Sequence, residues 1–327
     1  SEGIETFFLE VRRTNEAALE LYLKFGFYPL GISRAYYSDT GEDAIVMKLD
    51  CRNPRQAPRV ETKGCVDGGV IVRGEIVLHE QVGPAHMRMG IDAPEIVEQC
   101  APGRFVMVGV GNGHDPLLKR PLALYWRRGS VVELLYRIVG RGTAGIALMR
   151  TGEEVDLLGP FGNGFDCSEV ESAILVAGGM GIASMPLLAQ ALSQKGVPAR
   201  LLYGVRDKRE LVGLGPFDEM GFEHATITEV GSQEPTGLVT DLLEQALVGR
   251  RDPGRGLTCF ACGPEPMLRE VAKVSAEAGV ACQVSLERRM ACGFGVCLGC
   301  VVAVADGGKY RKVCTDGPVF HAEEVQW

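Results

Sequence analysis

The sequence predicts a multidomain fold. An antiparallel β-barrel is followed by an α/β domain with a parallel sheet and a small C-terminal cysteine module, and an α+β fragment precedes all three. Three observations predict it. Between residues 70 and about 165, short β-branched or alternating runs are punctuated by Gly and Pro, the pattern of a small barrel. From Ala173 onward, continuous apolar strands alternate with helical stretches, which calls for parallel pairing. Four of the 11 cysteines then crowd between Cys292 and Cys314. At 327 residues the chain holds two or three domains of ordinary size.

In chain order, residues 6–12 read as a strand. Residues 16–25 read as a helix, with Leu19, Leu21, Tyr22 and Phe25 at three- and four-residue steps and Gly26 as the stop. Residues 43–49 form another strand, so 1–50 is a first unit. Residues 51–69 are rich in Pro, Arg, Gly and Lys without periodicity and read as a linker. The barrel is expected over 70–168, with strands at 70–82, 85–91, 104–110, 122–126 and 131–138. The α/β domain is expected over 169–282, with strands at 173–177, 200–204 and 257–262 and helices at 184–194 and 238–247. The cysteine module takes 283–327.

The composition is that of a folded protein, with 46% hydrophobic and 23% charged residues. A formal net charge of −8 argues against nucleic acid as the partner, because phosphate contacts need a basic surface. No run approaches the roughly 18 apolar residues of a membrane span. Residues 1–6 carry two acids and no basic n-region, so no secretory leader and a cytoplasmic location are expected. The missing initiator Met suits a processed chain or a piece of a longer product. An odd cysteine count in such a chain fits free and metal-bound thiols better than disulfides. Outside the cluster, Cys51, Cys65, Cys100, Cys167, Cys259, Cys262 and Cys282 read mostly as small buried hydrophobes.

The cysteine spacing is Cys292-x4-Cys297-x2-Cys300, with Cys314 after a further strand and turn. This is the plant-type [2Fe–2S] arrangement. Two bridged irons need four thiolates close together, and a short loop wraps them only if its backbone stays small. Gly293, Gly295 and Gly299 stand between the ligands. A structural zinc site is the competing metal reading, but it usually shows paired C-x2-C units or Cys/His mixtures.

Gly178-Gly179-Met180-Gly181 follows a buried strand and opens a helix, where a pyrophosphate meets free N–H groups. It is not the G-x-G-x-x-G fingerprint, and a plain tight turn is the alternative. Cys262-Gly263-Pro264 ends another strand. Two such strand ends on one sheet edge form a nucleotide crevice. Cys262 is either a contact in that crevice or a buried thiol.

Further motifs carry a family resemblance. Arg120-Pro121-Leu122-Ala123 is similar to the flavin strand of the ferredoxin–NADP reductase superfamily. It is followed by Leu135-Tyr136-Arg137, Gly142-Thr143 and Gly159-Pro160-Phe161-Gly162-Asn163-Gly164-Phe165. With the runs around Cys292 and Cys314, residues 70–327 resemble the electron-transfer subunit of class 1B dihydroorotate dehydrogenase. The resemblance implies FAD in the barrel, NAD at the parallel sheet and the cluster at the C-terminus. The implied partner is an FMN-containing catalytic subunit, in a heterotetramer of two of each. Electrons would pass from FMN through the cluster and FAD to NAD+. Arg120 is implied to pair with an FAD phosphate, Gly142 and Thr143 to donate to the pyrophosphate, and Tyr136 to pack by the cofactor. Ala123 departs from the family's usual Ser, which removes a hydroxyl near the flavin. The loop of Gly293, Phe294, Gly295 and Val296 is expected both to wrap the cluster and to touch the partner. NADP is the less favoured nucleotide; Arg206, after the second parallel strand, reads either as a contact to its 2′-phosphate or as a surface residue.

Phe8-Leu9-Glu10-Val11-Arg12, Asn15, Leu21-Tyr22, Phe25-Gly26-Phe27, Tyr36-Tyr37 and Glu42-Asp43-Ala44 resemble the C-terminal third of a GNAT-type ribosomal-protein N-acetyltransferase. That resemblance implies a general base at Glu10 and a general acid at Tyr22. The loop that holds acetyl-CoA lies upstream in that family, so a remnant without activity is expected. The 258 residues from 70 to 327 leave no room for a (β/α)8 barrel of about 250 residues beside the three modules. Dihydroorotate oxidation is therefore expected on the partner. The competing functions are a related reductase subunit serving ferredoxin or hydrogenase, an N-acetyltransferase, and a zinc-stabilised interaction module.

Overall fold

The computed structural model describes residues 6–37, 41–50, 69–110, 116–231, 236–248 and 256–327. Two compact units result, residues 1–64 and 65–327. The expected linker lies outside the described residues except for Gly69.

The first unit runs β1 (Thr6–Arg12), α1 (Glu16–Lys24), β2 (Tyr28–Tyr37) and β3 (Glu42–Asp50). Asn15 caps α1 by accepting from the Ala18 N–H at 3.1 Å. The last strand lies between the other two, in the order β1-β3-β2, antiparallel throughout. Strand β2 has no counterpart in the sequence reading, because Pro29 and Gly31 interrupt its alternation.

The second unit opens with a closed six-stranded barrel, β4 (Val70–Gly83), β5 (His86–Asp92), β6 (Phe105–Val108), β7 (Arg120–Arg128), β8 (Val131–Arg137) and β9 (Glu154–Phe161). Its strand order is β4-β5-β8-β7-β6-β9. Short helices α2 (Pro94–Val97) and α3 (Arg141–Ala147) sit in the connections. Closure removes the exposed edges that such short strands would present. Ile76, Met89, Ile91, Val106, Val108, Leu124, Leu134 and Leu157 fill the interior. Strand β9 was absent from the sequence reading, yet it is the strand that closes the barrel.

The chain then builds β10 (Ser172–Gly178), α4 (Pro186–Gln194), β11 (Ala199–Asp207), α5 (Gly215–Met220), β12 (His224–Val230), α6 (Val239–Leu247), β13 (Leu257–Cys262), α7 (Glu265–Glu277) and β14 (Ala281–Ser285). Ile174 and Val176 belong to one apolar cluster while Leu175 and Ala177 belong to another. A strand covered on both faces reads as a continuous apolar run for this reason. The expected helix at 184–194 is instead a 3₁₀ turn, Gly179–Ser184, followed by α4 with Pro186 in its first turn.

The cysteine module carries the hairpin β15 (Val301–Ala303) and β16 (Tyr310–Lys312), then β17 (Val319–His321). Strand β17 pairs antiparallel with β14 and becomes the edge of the nucleotide-type sheet, ordered β12-β11-β10-β13-β14-β17. The sequence boundary at residue 283 cuts through β14, so the last module is not a separate body.

Candidate functional site

The loop after β14 and the turn after β16 bring four thiols together. Cys300 and Cys314 are buried with their Sγ atoms 3.2 Å apart. Cys292 is half-buried and Cys297 exposed. The Cys297 N–H donates to Cys292 Sγ at 3.5 Å, and the Gly299 N–H donates to Cys297 Sγ at 3.4 Å. A hydrogen bond from Cys314, helped by the N–H groups of Cys297 and Phe294, lowers the Cys292 thiol to about 4. The same bond, with burial, pushes Cys314 up.

Among the described residues no three such ligands gather round a single point. Soft sulfurs linked in pairs, with backbone N–H groups aimed at them, fit a two-iron cluster better than one tetrahedral ion. Gly293 (φ +85°) lies so close to Met107 of β6 that a Cβ would stand 2.5 Å from Met107 Cγ. The loop thus rests directly on the end of the barrel. Phe294 also packs there, on Phe161, and does not project outward. The outward tip is Leu298, 62% exposed and with φ +55°.

On the barrel, Arg120 opens β7 beside the first turn of α3. Its guanidinium donates to the carbonyls of Leu118 and Lys119 and has no carboxylate partner among the described residues. A Cβ at Gly142 would land on that guanidinium, so only Gly permits the approach. The first-turn N–H groups of α3 have no partner within the helix. A planar fork beside a helix N-terminus is a donor set that fits a pyrophosphate.

Thr143 does not add its hydroxyl to that set. Its Oγ1 accepts from Val139 N at 2.9 Å and Gly140 N at 3.2 Å, and donates to Gly140 O at 3.1 Å. Tyr136 is buried, and its hydroxyl meets His79 Nε2 at 2.9 Å, while His79 Nδ1 meets the Met149 carbonyl at 2.8 Å. By strand alternation it faces away from Leu135 and Arg137. Pro121, Leu122 and Ala123 pair with Met107, Val106 and Phe105 and are half-buried.

The barrel and the parallel sheet meet across Leu135, which lies against Gly213, and Arg137, which reaches Glu210 at 3.5 Å. Arg128 spans the same seam to Glu219 at 2.5 and 2.6 Å and to the buried Glu133 at 3.2 Å. A cavity of about 170 Å³ lies beside this ion pair.

On the sheet, Ala177 of β10 is in register with Cys262 of β13, so both strand ends open on one edge. Gly178 packs on Met267 and Pro264, and a Cβ at Gly181 would meet the Cys262 carbonyl. Gly263 (φ +159°) packs on Met267, whereas Gly179 (φ +51°) faces open space. Two glycine turns locked together beneath an open backbone fit a dinucleotide. Cys262 Sγ is buried 3.6 Å from Ser184 Oγ, and burial pushes its thiol up to about 12. It is a buried thiol at the end of β13.

Sequence reasoning missed His79, Ser184 and Gln283 and named Asn163 only within a motif; the partners of all four are remote in the chain. A second cavity, of about 270 Å³, lies between the barrel exit and the sulfur loop. Arg104, Phe161, Asn163, Phe294, Cys314 and Thr315 line it.

The iron–sulfur cluster binding domain of dihydroorotate dehydrogenase B matches residues 287–326. The dihydroorotate dehydrogenase B (NAD(+)) electron transfer subunit of Desulforamulus reducens is 36% identical over 251 residues, 75% of this chain and 94% of the relative. The chain belongs to this family. A second member, from Caldanaerobacter subterraneus subsp. tengcongensis, is 39% identical over 227 residues, 68% of this chain and 86% of its own length. Among solved structures, the NADH-dependent reduced ferredoxin–NADP oxidoreductase described for flavin-based electron bifurcation superposes with a TM-score of 0.69. Its identity is 29%, and the match covers 78% of this chain and 90% of that one. Phthalate dioxygenase reductase shares the fold at 16% identity and a TM-score of 0.54, over 75% of this chain and 94% of its own. The family assignment covers the second unit's three structural parts. No helix among the described residues is long and apolar enough to cross a membrane.

Proposed function

We propose that this chain is the electron-transfer subunit of an NAD-linked dihydroorotate dehydrogenase in pyrimidine synthesis, working with an FMN-containing catalytic subunit in a cytoplasmic heterotetramer of two of each. The observation that carries the reading is the four-thiol loop seated on the end of a flavin-type barrel, beside a nucleotide-type sheet, in a member of this family. When bound, FAD, [2Fe–2S] and NAD supply the conversion between one-electron and hydride chemistry.

Cys292, Cys297, Cys300 and Cys314 hold the cluster, with the Cys297 and Gly299 N–H groups stabilising thiolate charge. Arg120 binds an FAD phosphate through its fork, aided by the N–H groups of Gly142 and Thr143. The Thr143 hydroxyl sets the shape of that turn. Pro121, Leu122 and Ala123 form the flavin wall; Leu135, Tyr136 and Arg137 support it, and Arg137 ties it to Glu210. Gly178, Gly179 and Gly181, with Cys262, Gly263 and Pro264, form the NAD crevice, and Cys262 excludes water as an uncharged thiol.

Reconstituted full-length protein should show flavin and iron–sulfur absorption, two iron and two sulfide per chain, and NADH-to-dye activity. Purified chain that takes up neither flavin nor sulfide would overturn the reading. Zinc without sulfide would favour an interaction module.

For the first unit we propose a GNAT-like α+β fold. The β-α-β-β order with the last strand placed in the middle supports it. Calorimetry with acetyl-CoA should show no binding.

A further inference from the structure

The segment leaving the barrel, residues 159–166, runs beside the turn that carries Cys314. That turn is tied to itself. Asp316 Oδ2 accepts from Lys312 N at 2.7 Å, and Asp316 N donates to Lys312 O at 2.8 Å. These bonds shape the turn but do not locate it on the barrel.

One residue does that. Asn163 Nδ2 donates to Thr315 O at 3.1 Å and to Asp316 O at 3.2 Å. Its backbone N donates to Gly317 O at 2.6 Å, and its carbonyl accepts from Val319 N at 3.4 Å. Four bonds from a single residue thus grip the five residues after Cys314, more than 150 positions away in the chain. Gly162 (φ +82°) makes the approach possible, since a Cβ there would stand 2.8 Å from Gly317 O. Asn163 also lines the cavity that Cys314 and Phe161 share.

We propose that Asn163 is the positioning residue that fixes Cys314, and with it one side of the cluster site, against the end of the flavin barrel. The role requires an amide. An Asp of the same shape would put carboxylate oxygen against two carbonyls, leaving both acceptors unpaired and repelled. This rests on the reading of Cys314 as a cluster ligand, but part of its test does not. Nearby Gln283 is the natural control. It makes a comparable paired bond to Asp166 N and O, at 2.9 and 2.8 Å, without touching the turn.

The first measurement uses full-length chain without cofactors. Maleimide labelling, resolved by cysteine-containing peptide, follows Cys314 against the sheet-buried Cys259. Asn163→Asp should raise the Cys314 labelling rate about tenfold, with Asn163→Ala in between and Cys259 unchanged, the factor that about 1.4 kcal/mol makes in a local opening equilibrium. Gln283→Ala should lower the melting temperature without that selective change.

The second measurement uses reconstituted chain. In Asn163→Asp, NADH should bleach the flavin at the wild-type rate, while the cluster is reduced about tenfold more slowly, the equivalent of about 1.4 kcal/mol in the barrier, with altered g-values in its electron paramagnetic resonance spectrum. Loss of the cluster with flavin kept also supports the role. Wild-type labelling and cluster reduction in both Asn163 variants would overturn it. So would joint loss of flavin and cluster, which marks a general folding residue. If wild-type chain binds no cluster but Cys314 labelling still depends on Asn163, the functional reading fails and the positioning of Cys314 stands.

Discussion

Phe294 lies against Phe161, with ring centroids 6.2 Å apart and planes tilted by 48°. The ring is a wedge between the sulfur loop and the barrel. Phe294→Asp would place a carboxylate in that wedge and should cost about 1–3 kcal/mol of stability through lost packing and burial of charge. Iron retention after gel filtration should fall accordingly. On the proposed assembly the exposed tip of the loop is Leu298, and Leu298→Asp should weaken capture of the proposed FMN subunit in calorimetry while iron content and NADH-to-dye activity stay unchanged.

Leu298 also has φ +55°, a region that costs a non-glycine side chain about 1 kcal/mol. Leu298→Gly should therefore leave the melting temperature equal or slightly higher, yet reduce partner affinity. A fall in melting temperature would show that the side chain has a packing role its exposure does not reveal.

Arg120 across Gly142 makes a paired prediction for flavin. Gly142→Ala pushes a methyl group into the guanidinium, and Arg120→Lys removes the planar fork. Either change should weaken FAD binding by about tenfold, the equivalent of one charge-assisted hydrogen bond. Flavin fluorescence titration reads this directly. The Cys314 labelling pattern should not move.

Cys262 sets an alkaline limb. Its thiol is pushed up to about 12, mainly by burial, from an ordinary value of 9.0. The folded chain thus holds a proton that the unfolded chain releases between pH 9 and 12. Stability from this group is complete below about pH 9 and declines as pH rises through that window. Cys100, pushed up to about 11 by burial, acts in the same direction. Melting temperatures from pH 8 to 11 should fall less steeply in Cys262→Ala than in wild type. NADH-to-dye activity should show no titration of Cys262 near neutrality.

Glu133 is only 2% exposed and accepts from both Arg88 and Arg128. Glu133→Ala would leave two guanidinium groups without their shared carboxylate. Because both arginines keep partial solvent access, the expected loss is about 2 kcal/mol, below that of a fully buried pair. Glu133→Gln should recover part of it. Urea titration at neutral pH measures both.

Much of this was legible in one dimension. The barrel run 131–138 returns as a strand, Val131–Arg137, and the run 173–177 is apolar because both its faces are covered. The cysteine spacing survives because three ligands sit in one short loop. Strand β9 was hidden because its apolar residues end in Leu158-Gly159-Pro160, which reads as a turn. Strand β17 has three residues and gains its identity only from β14. Asn163 stood only inside a motif that carries the family resemblance, since its partners are chosen by the fold and leave no local trace. Tyr136 was placed by motif alone, and His79, 57 positions away, determines where its hydroxyl goes.

The return of β17 to the edge of the nucleotide sheet has a kinetic corollary. The sulfur-bearing loop enters from β14 and leaves into β17, so both of its ends are anchored in one ladder. It is wired in place, unlike a carrier head that swings on a tether between donor and acceptor. Internal electron exchange in such an arrangement should be indifferent to solvent viscosity, while exchange with the second subunit should track it.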